Sequence, residues 1–381
     1  MKIGQFSDSF LPIVDGVGRV AYNYCNCLAS KGHECSAIVP SENFGNRGKY
    51  PFEIIDYLSK PLLLRPEYDL GIPIFDVHYR HILDMTNFDI VHVHTPFIAG
   101  IEGIRYAKEH HIPVVGSFHS KYYDDFLQIT KHKHLAEFGT DMVVDFYNHC
   151  TEVWTVSNNS KQALESYGYK GNIVVIPNGI DEISVSEEEI KSTKNKYNLN
   201  DEFTLLYVGQ MNWKKNILRI LEACSLLKKD DISFNLLMAG KGPHLDEIKN
   251  KCKELGIESN VYFLGHIEDE KTLFALYALA DLFVFPSTYD TYSMVVREAA
   301  MVSTPSIVTK GSAPAECIDD GVNGLTCLDN SVSLYEMIKY VHINRKFCLD
   351  LGQRAKETIP IAWDEIINKV IERYAYLIDN Q

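Results

Sequence analysis

The chain has 381 residues, 46% of them hydrophobic, with 51 acidic against 37 basic side chains and a formal net charge of -14. That length is more than one ordinary core accommodates and divides into two domains of roughly 150 to 200 residues. The acidic balance excludes a sequence-independent grip on nucleic acid, which needs clustered Lys and Arg. Nine cysteines without a CxxC pair or a neighbouring histidine set read as free thiols of a reducing compartment. No apolar run approaches about 18 residues, and Met1-Lys2-Ile3-Gly4 passes straight into a strand. The expected location is the cytoplasm.

Apolar strand-like runs alternate with helix-period segments along the whole chain, which is the pattern of parallel sheets built from βαβ units. The fold class is therefore α/β, with two doubly wound halves. In the first half, strands are predicted at Ile3 to Ser7, Cys35 to Pro40, Glu53 to Tyr57, Ile90 to His94, Val114 to His119, Val153 to Val156 and Ile173 to Ile176. Between the first two, Val17, Val20, Ala21, Tyr24 and Leu28 recur at helical spacing and stop at Lys31-Gly32. Gly16 to Ala21 spells GxGxxA, but a dinucleotide turn needs its first glycine directly after the strand, and residues 8–14 intervene. The segment reads as a flexible glycine loop at the ligand edge of the sheet, with Arg19 available to an anion, or as a loop that only closes a βα turn.

Pro61-Leu62-Leu63-Leu64-Arg65 is an apolar patch with basic flanks. Lys121 to Leu135 mixes aromatic and basic residues, namely Lys121, Tyr122, Tyr123, Phe126, Lys131, His132, Lys133 and His134. Either segment could rest on a membrane surface and meet a lipid-linked acceptor, or be a loop and a partly packed helix. His92 and His94 share one strand face; with no third ligand at suitable spacing, packing or edge hydrogen bonding is favoured over a metal pair. Phe118-His119-Ser120-Lys121 lies just past a strand end, so His119 is either a satisfied loop histidine or a group at the ligand edge. Asp124-Asp125 reads as a solvated pair, not a metal-binding motif.

Pro177-Asn178-Gly179-Ile180-Asp181 and the charged stretch 182–201 mark a boundary, so the expected domains are 1–180 and 181–360. The second half predicts strands at Thr204 to Gly209, Asn235 to Gly240, Val261 to Gly265, Leu282 to Pro286 and Ser306 to Thr309, each followed by a helical segment. Gly209 ends the first of these, and Lys214-Lys215 follow before the next helix. Gly240-Lys241-Gly242 ends the second. Such strand ends let a backbone approach a diphosphate while lysine neutralises it. Phe283 to Met301 joins an apolar strand to a helix and places Asp290 in the loop and Glu298 in the helix, eight residues apart. That suits an anionic ligand on the free helix amides with carboxylates on its hydroxyls; the other reading is a capped amphipathic helix. In 361–381, Ile361, Trp363, Ile366, Ile367, Val370, Ile371, Tyr374 and Leu377 fall at helical spacing, so this terminal helix must dock on an apolar surface.

In order along the chain, the glycine loop, the strand-end histidine, VGxxxxKKN, AGxGP, FLG and FPSxxDxxxxxxxEA resemble the retaining, nucleotide-sugar-dependent glycosyltransferases of family 4. The resemblance spans nearly the whole chain and implies the GT-B fold: two Rossmann-like domains facing a central cleft, with the C-terminal helix crossing back to the N-terminal domain. It implies that Asp290 faces hydroxyls of the transferred sugar, Glu298 holds the ribose, and Ser293 and Met294 offer amides to the diphosphate. Lys215 would neutralise the leaving group, with Gly209, Gln210, Gly240 and Gly242 around the donor and Leu264-Gly265 flanking its base. His119 would lie near the reacting carbon, and Gly16 to Gly18 between donor phosphate and acceptor, with Arg19 and Lys121 on the acceptor side. No metal and no cofactor is required. The expected partners are a nucleotide sugar, most commonly a UDP-sugar, and a glycan, lipid or other hydroxyl acceptor, with peripheral contact at the inner face of the membrane; another GT-B chemistry, or binding without turnover, is the alternative. Three positions depart from the family pattern: Gln210 stands where arginine is usual, Asp290 where glutamate is usual, and Tyr292-Ser293 where Phe-Gly is usual. Either Lys214 or Arg19 replaces the missing cation, or turnover is slow.

Overall fold

The structure, a computed structural model, describes residues 1–11, 16–41, 49–62 and 65–381. It divides into unit 1, Met1–Gly179 with Trp363–Gln381, and unit 2, Ile180–Ala362.

Unit 1 runs β1 (Lys2–Phe6), α1 (Gly16–Ser30), β2 (Glu34–Pro40), β3 (Glu53–Tyr57), β4 (Ser59–Leu62), β5 (Arg65–Gly71), α2 (Val77–Met85), β6 (Ile90–Val93), α3 (Ile98–His110), β7 (Val114–Phe118), α4 (Tyr122–Thr130), α5 (Lys133–Asn148), β8 (Glu152–Thr155), α6 (Asn158–Ser166) and β9 (Ile173–Val175). Seven strands form one parallel sheet in the order β3-β2-β1-β6-β7-β8-β9. Its central strands are short apolar runs buried on both faces, as a sheet covered by helices on each side requires. The order reverses between β1 and β6. At such a switch point the connections leave in opposite directions and open a crevice at the carboxyl ends of the strands.

Unit 2 repeats this plan with α7 (Glu187–Lys196), β10 (Phe203–Val208), α8 (Ile217–Lys229), β11 (Phe234–Ala239), α9 (Leu245–Glu254), β12 (Val261–Gly265), α10 (Glu270–Leu279), β13 (Leu282–Phe285), α11 (Met294–Met301), β14 (Ser306–Thr309), β15 (Leu325–Cys327), α12 (Ser331–Ile343) and α13 (Arg345–Thr358). The sheet order β12-β11-β10-β13-β14-β15 places its switch point between β10 and β13. Leu205, Leu206, Leu236, Leu237, Phe283 and Val284 are fully buried there and form the middle of the core.

The last helix, α14 (Trp363–Asp379), belongs to unit 1. Trp363, Ile366, Ile367, Val370 and Tyr374 form its buried stripe, each contributing about 1.5–3 kcal/mol of apolar burial for an aliphatic or aromatic side chain of this size. Tyr374 stacks on Trp154 of β8 with ring centroids 5.3 Å apart, and Trp363 meets Tyr24 of α1 edge-on at 6.0 Å. Close approach of backbone is also needed: a Cβ on Gly179 would lie 2.5 Å from the Cα of Trp363.

Three expectations change. Gly16 and Gly18 are not in a loop but in the first turn of α1, Gly16 exposed and Gly18 buried. The β4–β5 antiparallel hairpin was not anticipated, because Pro61 and Pro66 interrupt any strand pattern, and β15 is too short to show a period. The patch Pro61 to Arg65 falls on that hairpin, where residues 63–64, and the side chains of 61–65, lie outside the described residues.

Candidate active site

In unit 2, glycines end the adjoining strands β10, β11 and β12 on one side of the switch point. A Cβ on Gly240, where φ is +138°, would lie 1.9 Å from the carbonyl oxygen of Gly209, so no side chain fits. Gly240 N–H donates to Gly265 O at 2.7 Å, and a Cβ on Gly242 would come within 2.6 Å of Met211 O. Beyond β10, Asn212 Oδ1 accepts from Lys214 N–H at 3.1 Å and caps a single 3-10 turn, Trp213–Lys215. This turn aims both lysines at the loop after β13. Lys215 Nζ lies 2.9 Å from Asp290 Oδ1, with their side chains only 16% and 17% exposed, and Ser287 Oγ donates to Asp290 Oδ2. The ammonium of Lys214 stands 4.5 Å, and that of Lys215 5.4 Å, from the Tyr289 ring centroid.

The same loop enters α11 through Ser293, whose φ of +60° is the left-handed conformation that glycine adopts without strain. Ser293 makes no side-chain cap, and its buried hydroxyl has no hydrogen-bond partner. The first turn of α11 contains no acid, so its amides keep their partial positive charge. Glu298, the fifth residue of α11, accepts from the Tyr277 hydroxyl at 2.8 Å, while the Arg297 guanidinium lies on the Tyr292 ring at 3.6 Å. Two lysines, a helix N-terminus and glycine backbones thus surround one end of the sheet, with two carboxylates beside them. Chemically this is a seat for an anion that also carries hydroxyls.

In unit 1 the carboxyl edge of the sheet holds a ladder of imidazoles. His92 and His94 stack at 4.3 Å, and His94 and His119 at 5.6 Å with rings 12° from parallel. His119 Nε2 lies 3.4 Å from His94 Nδ1. Part of His119 meets solvent, yet its ring is enclosed against His94, and burial pushes its pKa down to about 4. Burial first, and the neighbouring imidazoles second, also hold His92 and His94 well below the usual histidine range. All three are neutral at neutral pH. Beside them, Asp8 Oδ1 accepts from Ala99 N–H at 2.9 Å at the start of α3, and Thr95 Oγ1 donates to Oδ2 at 2.5 Å. Burial raises that carboxyl to about 6 against these hydrogen bonds.

Residues 14–182 match the family described as Glycosyltransferase Family 4, and residues 189–358 match Glycosyl transferases group 1. The chain belongs to the family 4 glycosyltransferases. The alpha-monoglucosyldiacylglycerol synthase of Streptococcus pneumoniae is 28% identical over 314 residues, 81% of this chain and 70% of that protein. A GDP-mannose-dependent alpha-mannosyltransferase of Corynebacterium glutamicum is 24% identical over 380 residues, 98% of this chain and 86% of that protein. Among solved structures, Anabaena Alr3699/HepE in complex with UDP matches with a TM-score of 0.79 at 16% identity, covering 99% of this chain and all of that one, which establishes the GT-B fold. This is a glycosyltransferase of GT-B type with a nucleotide-sugar donor.

Within the glycosyltransferase, the fold brings Lys215 and Asp290 into contact and puts Gly209, Gly240, Gly242 and Gly265 at adjoining strand ends. Leu264 and Gly265 close β12, the half-buried Met294 opens α11, and Glu298 stands one turn further in. Gln210 is exposed, and its main-chain carbonyl accepts from the Tyr207 hydroxyl at 2.9 Å. Lys214 shares the Tyr289 ring with Lys215, which places a second cation at this loop. In unit 1, Arg19 is exposed on α1, and Lys121 sits half-buried at the N-cap of α4, with Asp124 and Asp125 in the first turn of that helix. Among the described residues, no group of three or more His, Cys, Asp or Glu is arranged to hold a metal. Asp8, Tyr277 and Ser287 were not singled out from the sequence. Each is a lone residue whose partner comes from a distant element or a turn, and no periodicity marks such a pairing.

Proposed function

We propose that this enzyme transfers a sugar from a uridine diphosphate sugar, with retention at the anomeric carbon, to an acceptor hydroxyl of a glycan or lipid-linked glycan. The observation that carries the reading is the Lys215–Asp290 pair beside the acid-free N-terminus of α11. In this scheme the helix amides of Ser293 and Met294, with Lys215 and Lys214, stabilise the diphosphate as charge develops on it. Glu298, oriented by Tyr277, holds the ribose, and Leu264-Gly265 flank the base. Asp290, oriented by Ser287, accepts from hydroxyls of the transferred sugar, and His119 acts near its reacting carbon. The departing phosphate oxygen takes the acceptor's proton on the same face, so retention follows without a pair of carboxylates flanking the scissile bond as in a hydrolase. The cations are protein side chains, and the scheme calls for no metal or cofactor.

A membrane-associated acceptor is supported by unit 1. At the α4–α5 turn, Ile129, Leu135, Phe138 and Met142 are exposed around the consecutive Lys131, His132, Lys133 and His134. Apolar side chains rimmed by cations suit the surface of an anionic bilayer, and the named product of the Streptococcus relative is a glycolipid. Among the described residues no helix is long and apolar enough to cross a membrane; the contact proposed is a peripheral one, at the inner face. Co-sedimentation with anionic liposomes should fall when Lys131 and Lys133 are changed to Glu; equal binding removes this patch.

The decisive assay incubates the protein with UDP-, GDP- and ADP-sugars and candidate acceptors, and measures nucleoside diphosphate release and the anomeric configuration of the product. Inversion, or release from another nucleotide only, overturns the corresponding part of the proposal. The neutral Gln210 favours a second reading, a nucleotide-sugar-binding protein without turnover. Saturable binding with no release from any pair would establish it, and an epimer formed without acceptor would indicate an epimerase.

A further inference from the structure

Arg297, the fourth residue of α11, is 7% exposed, and among the described residues no carboxylate lies within ion-pair distance of it. A guanidinium taken out of water in this way is ordinarily paired with an acid, so what holds this one carries information. It grips one residue twice, Tyr292, two positions ahead of the helix. The guanidinium carbon lies 3.6 Å from the centroid of the buried Tyr292 ring, and Nη1 donates to the Tyr292 carbonyl oxygen at 2.9 Å. The Cys317 thiol is a neighbour as well; burial raises it and the guanidinium opposes that rise. Nε of Arg297 is buried without a hydrogen-bond partner.

A trans peptide points its C=O and the following N–H in opposite directions. With the Tyr292 carbonyl fixed on Arg297, the Ser293 N–H therefore faces away from the guanidinium. No acceptor among the described residues takes that hydrogen. The same peptide sets the strained angle: turning it over would carry φ of Ser293 from +60° to about −120°, the ordinary extended region of an L residue. Serine favours the turned-over form. Its side chain does nothing to oppose that change, since the hydroxyl makes no cap and has no hydrogen-bond partner. A glycine adopts either form without strain and needs no hold. The group that resists the turnover here is Arg297.

We propose that Arg297 is a positioning residue: its double hold on Tyr292 keeps the Tyr292–Ser293 peptide from turning over, and so presents the Ser293 N–H, instead of a carbonyl oxygen, to a diphosphate at the start of α11. The orientation decides the sign of the partial charge that the ligand meets. An amide N–H attracts a phosphate oxygen, whereas the carbonyl that would replace it repels one. Arg297 thus serves the anion without touching it, through the backbone of the residue before the helix. The part played by a diphosphate rests on the function proposed above; the orientation of the peptide does not.

Crystal structures of the full chain as wild type and as Arg297→Met, whose unbranched stem fills much of the same space, read the peptide directly. The Tyr292 carbonyl is expected on Arg297 in the first and turned over in the second, with Ser293 at negative φ. Calorimetric titration with UDP should show about tenfold weaker binding by Arg297→Met, the low end for the loss of one charge-assisted hydrogen bond. With glycine at 293 that loss should disappear: Ser293→Gly alone and Ser293→Gly with Arg297→Met should agree within about twofold, the usual tolerance of additivity. An unturned peptide in Arg297→Met overturns the proposal. So does an equal loss of UDP affinity with serine or glycine at 293, which would mean that Arg297 acts through its charge or its packing. Should Arg297→Met not fold, Arg297→Lys, which keeps the charge and lacks the planar fork, takes its place with the same expectations. If the peptide behaves as expected while the wild type binds no UDP, the positioning role stands and the proposed function fails.

Discussion

Besides its apolar docking, α14 is tied to unit 1 by an enclosed ion pair, Arg373–Glu152, whose removal has a calculable effect. The Glu152 carboxylate is 2% exposed and accepts from Trp154 Nε1 at 2.7 Å, Asn172 Nδ2 at 2.8 Å, Arg373 Nε at 2.8 Å and Arg373 Nη2. Arg373→Met removes the only cation among these donors and keeps most of the apolar stem. Breaking a buried pair in this way costs about 3–5 kcal/mol, chiefly because the surviving charge stays in low dielectric. The Arg373 side chain is 31% exposed and two neutral donors remain, so the lower end, about 3 kcal/mol, is expected. The chain has three tryptophans, and in a Trp213→Phe background the remaining two, Trp154 and Trp363, both report on unit 1. With a urea m-value of about 3 kcal/mol/M, Arg373→Met should lower the fluorescence midpoint by about 1 M at unchanged slope. Glu152→Gln in the same chain should restore most of that loss, because a neutral amide no longer demands a counter-charge. A shift below about 0.3 M, near the 1 kcal/mol ceiling of an exposed pair, refutes the reasoning, as does a double variant no more stable than the single one.

Three further outcomes follow from the site. Ser293→Gly removes both a left-handed serine and a buried hydroxyl without a partner, so it should stabilise unit 2 by about 1–2 kcal/mol, read as a higher Tm; a lower Tm contradicts this account. Asp290→Asn releases Lys215 from its ion pair, so UDP should bind at least as tightly by calorimetry while sugar transfer falls roughly 10- to 100-fold, the worth of one charge-assisted hydrogen bond in the transition state; full transfer activity would discard the assignment. Unit 1 should weaken as pH falls from about 6.5 toward 4. Unfolded imidazoles protonate near pH 6.5 and folded His119 only near 4, with His92 and His94 also held down, so the unfolded chain binds more protons in that window. Asp8 has the opposite sign, since its folded carboxyl protonates near 6 and an unfolded one near 3.9, and its contribution grows as pH falls. Three imidazoles against one carboxyl leave a net of about two protons, or roughly 2.7 kcal/mol per pH unit at the steepest point. A urea midpoint unchanged between pH 7 and pH 5 would show that the ladder takes up protons without strain.

Much of this molecule is written locally. Strands of a parallel sheet show as short apolar runs between helical segments, and the half-buried edge strand Val261 to Gly265 and the buried Ser306 to Thr309 can both be delimited from their letters alone. The loop position of Asp290 and the helical position of Glu298 are likewise legible, because a strand, a turn and an amphipathic helix succeed one another within twenty residues. The first turn of α1 is less so: Gly16 and Gly18 are poor helix formers and read as loop, and the apolar face of the helix behind them overrides that preference.

What the letters could not contain is which side chains share a partner across the sheet. Lys215 and Asp290 are 75 residues apart and meet at 2.9 Å because β10 and β13 are neighbours at a switch point. His92 and His94 show their common face through the two-residue period of a strand, but their hydrogen-bond partners are Gln5, 89 residues from His94, and Tyr374, 282 residues from His92. Local order follows from backbone propensity and burial over a few residues. The state of a buried polar group is settled only when distant strands and the last helix close around it, because in low dielectric each donor and acceptor must find its counterpart in the assembled fold.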